Sequence, residues 1–446
     1  MKPPNRLEKD ALGKVKVPLD AYFGAFTCRA KENFQISGDK APKMLNHALG
    51  LVKLCAAETN LELGLIDKKY KNALLQACAE FMEGKFLSQF VIDIFQAGAG
   101  TSYNMNANEI IANRANELLK APKGSYKYLH PNNHVNLGQS TNDVIPTTLR
   151  IAALLSLPEL TAQLKGLIKS IEELAKKHAQ TLKVGRTHLQ DAVPISVKQE
   201  FDSYKEALQN SQKQIELSAE DLKTLGIGGT AVGTGQNAHK DYHKLMLEKL
   251  SAKTKIHFKS AKNFTETANN MNVFMNFSGG LRSLATNLLN FCSDLSLLNM
   301  GPKAGLSEIS LPEMQAGSSI MPGKVNPSIP EAVQMVAMQV LGNDQIISLA
   351  CQRSNLELNV FCPLIMNNLL QSMKILTNGL KTLTQKCVKG LKINKERITE
   401  LLENSLATAT KLAEELGYDL TAEIVHSALK NNRTLKEELK RRKIKY

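Results

Sequence analysis

A seven-residue repeat of large side chains constrains the fold of this chain more than any other feature of its sequence. The repeat runs from position 201 to position 225, and small serines fill two of its positions; the repeat consists of Phe201, Tyr204, Leu208, Ser211, Ile215, Ser218, Leu222 and Leu225. Such a seam packs helix against helix, and its serines let neighbouring backbones approach closely. A helix that starts after Pro194 and ends at Gly226 spans about 45 Å at about 1.5 Å per residue. This length predicts a helical bundle of the kind found in oligomer cores.

Helical patterns cover most of the remaining chain. Residues 43–60 and 70–83 carry shorter patterns, and residues 143–390 fall into long stretches broken at Gly or Pro clusters. Residues 329–341 are apolar on nearly every face, which predicts a helix surrounded by other helices. Trp is absent and aromatic residues make up 5% of the chain, which is low for an all-β protein. These patterns predict an all-α protein.

The chain is too long for one ordinary domain. Its 446 residues exceed the usual domain length two- to threefold. Where the helical patterns change in length and charge, we predict three domains. These are a mainly helical N-terminal domain at 1–138, a central long-helix bundle at 139–393 and a small C-terminal helical domain at 394–446.

The net charge of +14 raises the question of an anionic partner. Residues 433–445 hold seven basic and two acidic residues, so much of the excess lies in one terminal tail. The chain lacks the basic stripe with interleaved aromatics that binding to single-stranded nucleic acid requires. We therefore predict a solvated helix end and no nucleic-acid partner, with a nucleic-acid arm as the alternative.

The cysteines and the N-terminus bear on the compartment. Seven cysteines are scattered without CxxC spacing, which fits neither a disulfide framework nor a zinc site. Residues 1–19 lack the apolar core of a signal peptide, and no stretch of eighteen residues is uninterruptedly apolar. The sequence predicts a cytoplasmic protein that does not span a membrane.

Two glycine clusters resemble nucleotide-binding loops. Residues 98–102 read GAGTS and residues 226–235 read GIGGTAVGTG. Neither has the strand, helix and partner residues that a phosphate loop or a dinucleotide fingerprint needs. We predict loops that approach a small ligand or a neighbouring helix, and no cofactor.

The segment that carries the chemistry is residues 317–327, GSSIMPGKVNP. Backbone N–H groups near Gly317 and Ser318, together with Lys324 and Asn326, suit the binding of a carboxylate and of the negative charge that develops when a neighbouring carbon loses a proton. The alternative is a glycine-proline turn without chemical consequence.

This segment matches the signature GSSxMPxKxN of the fumarase/aspartase superfamily, and its KVNP form resembles the fumarase and aspartase branch. Further matching blocks follow in the same order along residues 6–417: GAGTSYNMNANE (98–109), HPNNHVNLGQSTND (130–143), GRTHLQDAVP (185–194), GGTAVGTG (228–235) and GPKAGLSEISLPE (301–313). The resemblance implies an all-α, fumarase/aspartase-like subunit of three domains, whose long central bundle forms a tetrameric helical core. It also implies a homotetramer whose active sites are shared between three subunits, a small dicarboxylate substrate, and neither metal nor cofactor.

The resemblance further implies an elimination through a carbanion. A base removes the proton beside the β-carboxylate, an aci-carboxylate dianion forms, and the α-substituent leaves. The base of the family corresponds to Ser318, and His188 is the second catalytic residue. A lone histidine is otherwise often structural, which is the alternative for His188.

The remaining roles are also carried over from the family. The β-carboxylate is bound by Thr101, Ser140, Thr141 and Ser319. The α-carboxylate is bound by Thr187, Lys324 and Asn326, of which Lys324 supplies a charge-assisted bond. Asn142 and His188 face the substituent, and Glu331 hydrogen-bonds His188. A helix N-terminal acid is the alternative for Glu331.

The choice of substituent depends on finer resemblance. Five segments resemble aspartases: residues 20–34, GTSYNMN, QSTND, LPEMQAGSS and VNPSIPE. Fumarases show a second serine in place of Thr141. Cys362 departs from both, since aspartases carry Glu there and fumarases carry Arg. The resemblance thus favours an aspartate ammonia-lyase, with class II fumarate hydratase as the alternative. A structural protein that kept the fold, as in lens members of the superfamily, is a further alternative.

Overall fold

The computed structural model describes residues 4–444, and α-helices make up most of them. The helices of this part of the chain are α1 (Ala25–Asn33), α2 (Lys43–Glu62), α3 (Lys71–Met82), α4 (Thr101–Leu118), α5 (Thr141–Lys177), α6 (Val197–Asp221), α7 (Tyr242–Thr254), α8 (Phe264–Asn269), α9 (Asn272–Leu298), α10 (Ser328–Cys351), α11 (Cys362–Lys386), α12 (Lys395–Asn404), α13 (Ala409–Leu416), α14 (Tyr418–Lys430) and α15 (Leu435–Arg441). The predicted all-α class is confirmed.

Short strands form four two-stranded pairs in the same residues. They are β1 (Asn5–Asp10), β2 (Gly13–Pro18), β3 (Leu182–Thr187), β4 (Gln190–Ser196), β5 (Thr224–Leu225), β6 (Lys259–Ser260), β7 (Ile309–Ser310) and β8 (Lys392–Ile393). The β5–β6 pair is parallel, and the β1–β2, β3–β4 and β7–β8 pairs are antiparallel.

The chain divides into two compact units, each built from three segments. Of the described residues, the first unit contains 4–160, 213–282 and 339–375, and the second contains 161–212, 283–338 and 376–444. The boundaries fall inside the long helices α5, α6, α9, α10 and α11. The three-domain division remains a prediction.

The first unit packs its helices at close range. Gly50 on α2 allows this approach, because a Cβ there would lie 2.5 Å from the Cα of Met82. Phe81, Phe90 and Tyr103 form an aromatic run with ring centroids 5.7 Å and 5.3 Å apart. The helices predicted at 43–60 and 70–83 are confirmed as α2 and α3.

The second unit contains the first half of the predicted seam, up to Ser211. Ser211 on α6 is fully buried, and its Oγ accepts a 2.8 Å hydrogen bond from Asn287 Nδ2 on α9. Tyr204 contacts Phe291 with ring centroids 5.0 Å apart and donates to Asp294 at 2.8 Å. The serine of the seam therefore lies against a polar partner on the neighbouring helix.

The start predicted for α6 was wrong by a few residues. Pro194 lies in β4, where it pairs with Val184, and the helix begins at Val197. The reason is a reciprocal cap, in which Ser196 N donates to Gln199 Oε1 at 2.9 Å and Gln199 N donates to Ser196 Oγ at 3.1 Å. The helix also ends earlier, at Asp221.

Two long helices bear on the remaining predictions. Residues 329–341 were predicted to form a helix surrounded by other helices. Within a single chain, α10 is not covered on all faces, because Met335 is 68% and Met338 is 56% exposed.

By length and composition alone α5 meets the test for a membrane-crossing helix, which core helices of soluble proteins also meet.

Candidate active site

Backbone geometry at two helix starts positions the site residues of the first unit. Gly100 adopts a left-handed conformation with φ 84°, and α4 begins with Thr101 directly after it. At the start of α5, Asp143 Oδ1 accepts from Ser140 N at 2.9 Å and Ser140 Oγ accepts from Asn142 N at 3.2 Å. The positive end of the α5 dipole therefore lies at Ser140 and Thr141, where it favours an anion.

A cavity of about 1050 Å³ brings three of these side chains together. Thr101, Ser140 and Thr141 all line it, and each is partly exposed. Hydroxyl groups can donate hydrogen bonds to an anion without adding negative charge. In the structure the Thr101 hydroxyl donates to the carbonyl of Gly98 at 3.2 Å. We call Thr101, Ser140 and Thr141 the hydroxyl cradle.

Asp143 attaches the second glycine cluster to the cradle. Its carboxylate is buried, and Oδ2 accepts from Gly228 N at 2.8 Å and from Thr230 N at 3.1 Å. Burial raises the pKa of Asp143 to about 6, against the effect of these backbone hydrogen bonds. Asn142 completes the attachment by donating from Nδ2 to the carbonyl of Ala231 at 2.8 Å.

The tight packing of this glycine cluster explains its composition. A Cβ at Gly233 would lie 2.3 Å from the backbone nitrogen of Thr265, and φ is +89° at that position. Only glycine fits such an approach without strain. Residues 226–235 are thus a loop packed against a neighbouring helix, one of the two roles predicted for it.

The serine segment lies in the second unit and is held mainly by its own atoms. Gly317 N donates to the carbonyl of Lys324 at 2.9 Å, and Asn326 Nδ2 donates to the carbonyl of Gly317 at 2.7 Å. A Cβ at Gly317 would lie 2.4 Å from that Lys324 carbonyl oxygen. The loop of residues 317–327 closes on itself, and only glycine permits the closure.

The hydroxyl of Ser318 accepts hydrogen bonds inside this loop. Its Oγ lies 3.2 Å from Ile320 N and 2.9 Å from Met321 N. Two amide donors stabilise negative charge on the oxygen, which is what a serine needs in order to act as a base. Ser319, Ile320 and Lys324 are exposed around it.

Thr187 and His188 lie at the tip of the β3–β4 hairpin, also in the second unit. Thr187 pairs with Gln190, so the turn contains two residues, His188 with φ 55° and Leu189 with φ 59°. Two successive positive φ values are typical of a type I′ turn, which Asn-Gly normally occupies. Side chains with a Cβ are strained in this conformation, and such strain is often found at functional sites.

An ion-pair network supports this hairpin. Arg186 Nη1 and Lys183 Nζ each lie 2.7 Å from the buried carboxylate of Glu308, and Lys183 also contacts Glu200 at 2.6 Å. Both strand cations are thereby fixed by the same acid. The strained turn at the hairpin tip is therefore attached to strands that are held rigidly.

The predicted site residues thus fall into two groups. The first unit holds Thr101, Ser140, Thr141 and Asn142, and the second unit holds Thr187, His188, Ser318, Ser319, Lys324, Asn326 and Glu331. Glu331 lies exposed in the first turn of α10, and within residues 4–444 of one chain it makes no hydrogen bond to His188. That pairing remains a prediction.

Sequence reasoning missed the polar residues beneath the cradle. Lys53, Asn104, Asn136 and Gln139 form hydrogen bonds to one another or to Thr141. Lys53 sits in an otherwise apolar helix segment, GLVKLCAA, which is the one sequence signal that marks it as a buried charge.

The helical fold, the hydroxyl cradle and the glycine-closed serine loop together define a lyase, and comparison with known proteins agrees. A model of the lyase family matches residues 13–342, and the chain belongs to this family, the fumarase/aspartase superfamily.

The relatives carry two different names. A class II fumarate hydratase of Brucella suis is 44% identical over 97% of this chain and 94% of its own length. An aspartate ammonia-lyase of Pseudomonas aeruginosa is also 44% identical, over 99% of this chain and 94% of its own length. A class II fumarase from Schistosoma mansoni has a solved structure with a TM-score of 0.95 at 37% identity, covering 99% of this chain and 96% of that one.

Proposed function

We propose that this lyase interconverts fumarate with a four-carbon dicarboxylic acid that carries a hydroxyl or an amino group. The observation that carries the proposal is the hydroxyl of Ser318, whose oxygen accepts two backbone N–H bonds in a loop with the superfamily signature. A base of this kind removes the proton beside the β-carboxylate. The electron pair moves into that carboxylate. The α-substituent then leaves, either as ammonia from an ammonium group or as water from a hydroxyl group that takes up a proton from a donor facing it.

The assigned groups divide the work of binding. Thr101, Ser140, Thr141 and Ser319 bind the β-carboxylate, where the second negative charge develops, and donors fixed there before the reaction stabilise the dianion. Thr187, Lys324 and Asn326 bind the α-carboxylate. Asn142 and His188 face the leaving group, and Glu331 hydrogen-bonds His188.

The comparisons support fumarate hydratase, with L-malate as the substrate, at least as well as aspartate ammonia-lyase. The first relatives found and the similar solved structures carry fumarase or fumarate lyase names. We therefore take hydration of fumarate as the first candidate. The sequence blocks around Thr141 and residues 317–331 favour ammonia elimination from L-aspartate, which is the second candidate.

Ultraviolet absorbance of the conjugated double bond of fumarate distinguishes the candidates. Purified protein is given L-malate and L-aspartate in separate assays. Fumarate from malate alone supports the hydratase, and fumarate from aspartate alone supports the ammonia-lyase. If neither yields fumarate, the proposed reaction is wrong, and a structural role of the fold gains support.

We further propose a homotetramer with sites shared between three subunits, in the cytoplasm. The exposed Met335 and Met338 on α10, and Leu217 on α6 at 63% exposure, support burial against other chains, because long helices seldom leave such side chains in water. The seven free cysteines support a reducing compartment. Light scattering of the purified protein tests the assembly, and a monomeric mass contradicts it. We expect neither a nucleic-acid nor a membrane partner.

A further inference from the structure

A buried lysine lies beneath the hydroxyl cradle. Lys53 on α2 is fully buried, and its Nζ donates to Asn136 Oδ1 at 3.1 Å and to Gln139 Oε1 at 2.9 Å. A buried ammonium costs several kcal/mol unless its surroundings satisfy it. Two amide oxygens meet part of this need here.

Among residues 4–444, Asp143 is the charged group that acts on Lys53. Asp143 is buried on α5 and favours the protonated lysine, whereas Cys78 on α3 has a pKa raised to about 12 by burial and is neutral. Tyr242 on α7, which lies near Asp143, has its pKa raised well above 10 by burial and is also neutral. Burial itself lowers the pKa of Lys53 to about 7.

An ammonium group donates hydrogen bonds and accepts none. Protonated Lys53 therefore forces the amide oxygens of Asn136 and Gln139 to face it. Asn136 Oδ1 also accepts from the Nδ2 atoms of Asn104 and Asn108, each at 3.2 Å. The oxygen of the Asn136 amide thus faces Lys53, while its Nδ2 donates to the carbonyl of Gln139 at 3.2 Å.

This orientation reaches the cradle through Asn104. Asn104 Nδ2 donates to Thr141 Oγ1 at 3.0 Å, so the threonine oxygen is the acceptor in this bond. The proton of Thr141 has no acceptor among residues 4–444, and the hydroxyl lines the cavity. Gln139 fixes the preceding turn by donating from Nε2 to the carbonyls of Val135 at 3.0 Å and Leu137 at 3.2 Å.

We propose that Lys53 is a positioning residue for dicarboxylate binding, because its proton sets the hydrogen-bond direction through Asn136 and Asn104 that turns the Thr141 hydroxyl towards the ligand. The inference rests on the proposed function in taking a dicarboxylate as the ligand of the cradle. A neutral lysine gains a lone pair, which lets Asn136 turn its amide and lets Thr141 donate inward. Binding therefore weakens as Lys53 loses its proton.

The test measures binding and turnover in the full-length protein. Succinate is the probe, because it is a dicarboxylate with no leaving group, and its dissociation constant is measured by calorimetry from about pH 6 to about pH 9. Three variants are compared with the wild type. Lys53→Met removes every donor, Lys53→Arg keeps a donor-only group that stays protonated, and Arg150→Met removes another buried cation from α5 as the matched control.

We expect Lys53→Met to bind succinate about tenfold more weakly than the wild type at about pH 6, as loss of one oriented bond to a charged ligand predicts. The affinity of the wild type for succinate is expected to fall as the pH rises from about 6 to about 9. The affinity of Lys53→Arg stays level over this range, and that of Arg150→Met falls as in the wild type. A purely structural role for Lys53 produces no pH dependence of this kind.

Three results overturn the inference: Lys53→Met affinity within twofold of wild type, wild-type affinity independent of pH, or the same loss in Arg150→Met. If Lys53→Met does not fold, the wild-type and Lys53→Arg pH profiles decide. The proposed reaction fails separately, when malate and aspartate give no fumarate. In that case, succinate binding that follows the expected pattern still supports the positioning role of Lys53.

Discussion

The two groups of site residues are held in different ways. The cradle hydroxyls of the first unit rest on buried amides and on the buried carboxylate of Asp143. The serine loop of the second unit is closed by its own hydrogen bonds, and Ile320 at its tip is 83% exposed. In the proposed reaction charge develops at the cradle, which requires hydrogen-bond donors that are fixed before substrate binds. A base that approaches a carbon after binding needs a segment that can move.

The same kind of hydrogen bond serves both groups with different results. Thr141 Oγ accepts one amide N–H and keeps a proton to donate. Ser318 Oγ accepts two backbone N–H groups, which favours loss of its proton. The number of donors on each oxygen is thus consistent with the proposed roles, a binding hydroxyl at Thr141 and a base at Ser318.

The largest effect is expected at the base. We predict that Ser318→Ala lowers turnover by about three orders of magnitude or more, because the variant lacks the group proposed to remove the proton from the substrate carbon. Ser319→Ala is the matched control and loses one substrate hydrogen bond, about tenfold in kcat/KM. Fumarate absorbance measures both, and circular dichroism checks the fold. A Ser318→Ala rate above one tenth of wild type removes the assignment.

The next effect is expected in the pH dependence of protein stability, to which the buried Lys53 beneath the cradle contributes. The folded pKa of Lys53 is about 7 and its ordinary value is 10.5, so between these values the unfolded chain binds one proton more than the folded chain. The free energy of unfolding therefore rises with pH in this window, by at most about 5 kcal/mol. Lys53→Met is expected to lose this rise.

Chemical unfolding at fixed protein concentration over the same pH range measures the effect. Arg150→Met serves as the control and keeps the rise. Asp143 contributes with the opposite sign at lower pH, because its raised pKa of about 6 makes stability fall between about pH 4 and pH 6. Equal slopes in Lys53→Met and wild type show that the lysine is not the cause.

Much of the fold was predictable because helix periodicity is a local signal. The heptad between Phe201 and Leu225 and the patterns behind α2 and α3 need no knowledge of distant contacts. The start of α6 was missed because the cap between Ser196 and Gln199 competes with the proline signal at Pro194. Pro194 pairs with Val184 in the β3–β4 hairpin, so the helix begins only after the cap.

Site residues could be proposed from the sequence only where their motifs are continuous. The signature around Ser318 and the blocks around Thr141 and His188 name the groups proposed to contact substrate. The residues beneath them are separated by long distances along the chain, as Lys53 and Gln139 are. A single lysine in an apolar helix segment indicates a buried charge but does not identify the groups that satisfy it, because those partners come together only on folding.

A third prediction concerns the cradle hydroxyl itself. Thr141→Val keeps the shape of the side chain and removes its oxygen, so succinate binding is expected to weaken about tenfold to a hundredfold. Thr141→Ser restores the hydroxyl and is expected to bind within about threefold of wild type. Calorimetry measures both. If valine binds like threonine, the hydroxyl contributes nothing to anion binding, and the contrast between a fixed cradle and a movable loop loses its main support.

The smallest effect is expected at the hairpin tip beside His188. Leu189 is 73% exposed and has φ 59°, a conformation that costs about 1 kcal/mol with a Cβ and nothing with glycine. Leu189→Gly is therefore expected to raise the free energy of unfolding by about 1 kcal/mol, whereas Leu189→Ala, which keeps the Cβ, gives no gain. The Glu308 network fixes the strands below, so turnover stays within about twofold of wild type in Leu189→Gly. If Leu189→Gly is more stable but much slower than the wild type, the hairpin tip, like the cradle, must be rigid before substrate binds.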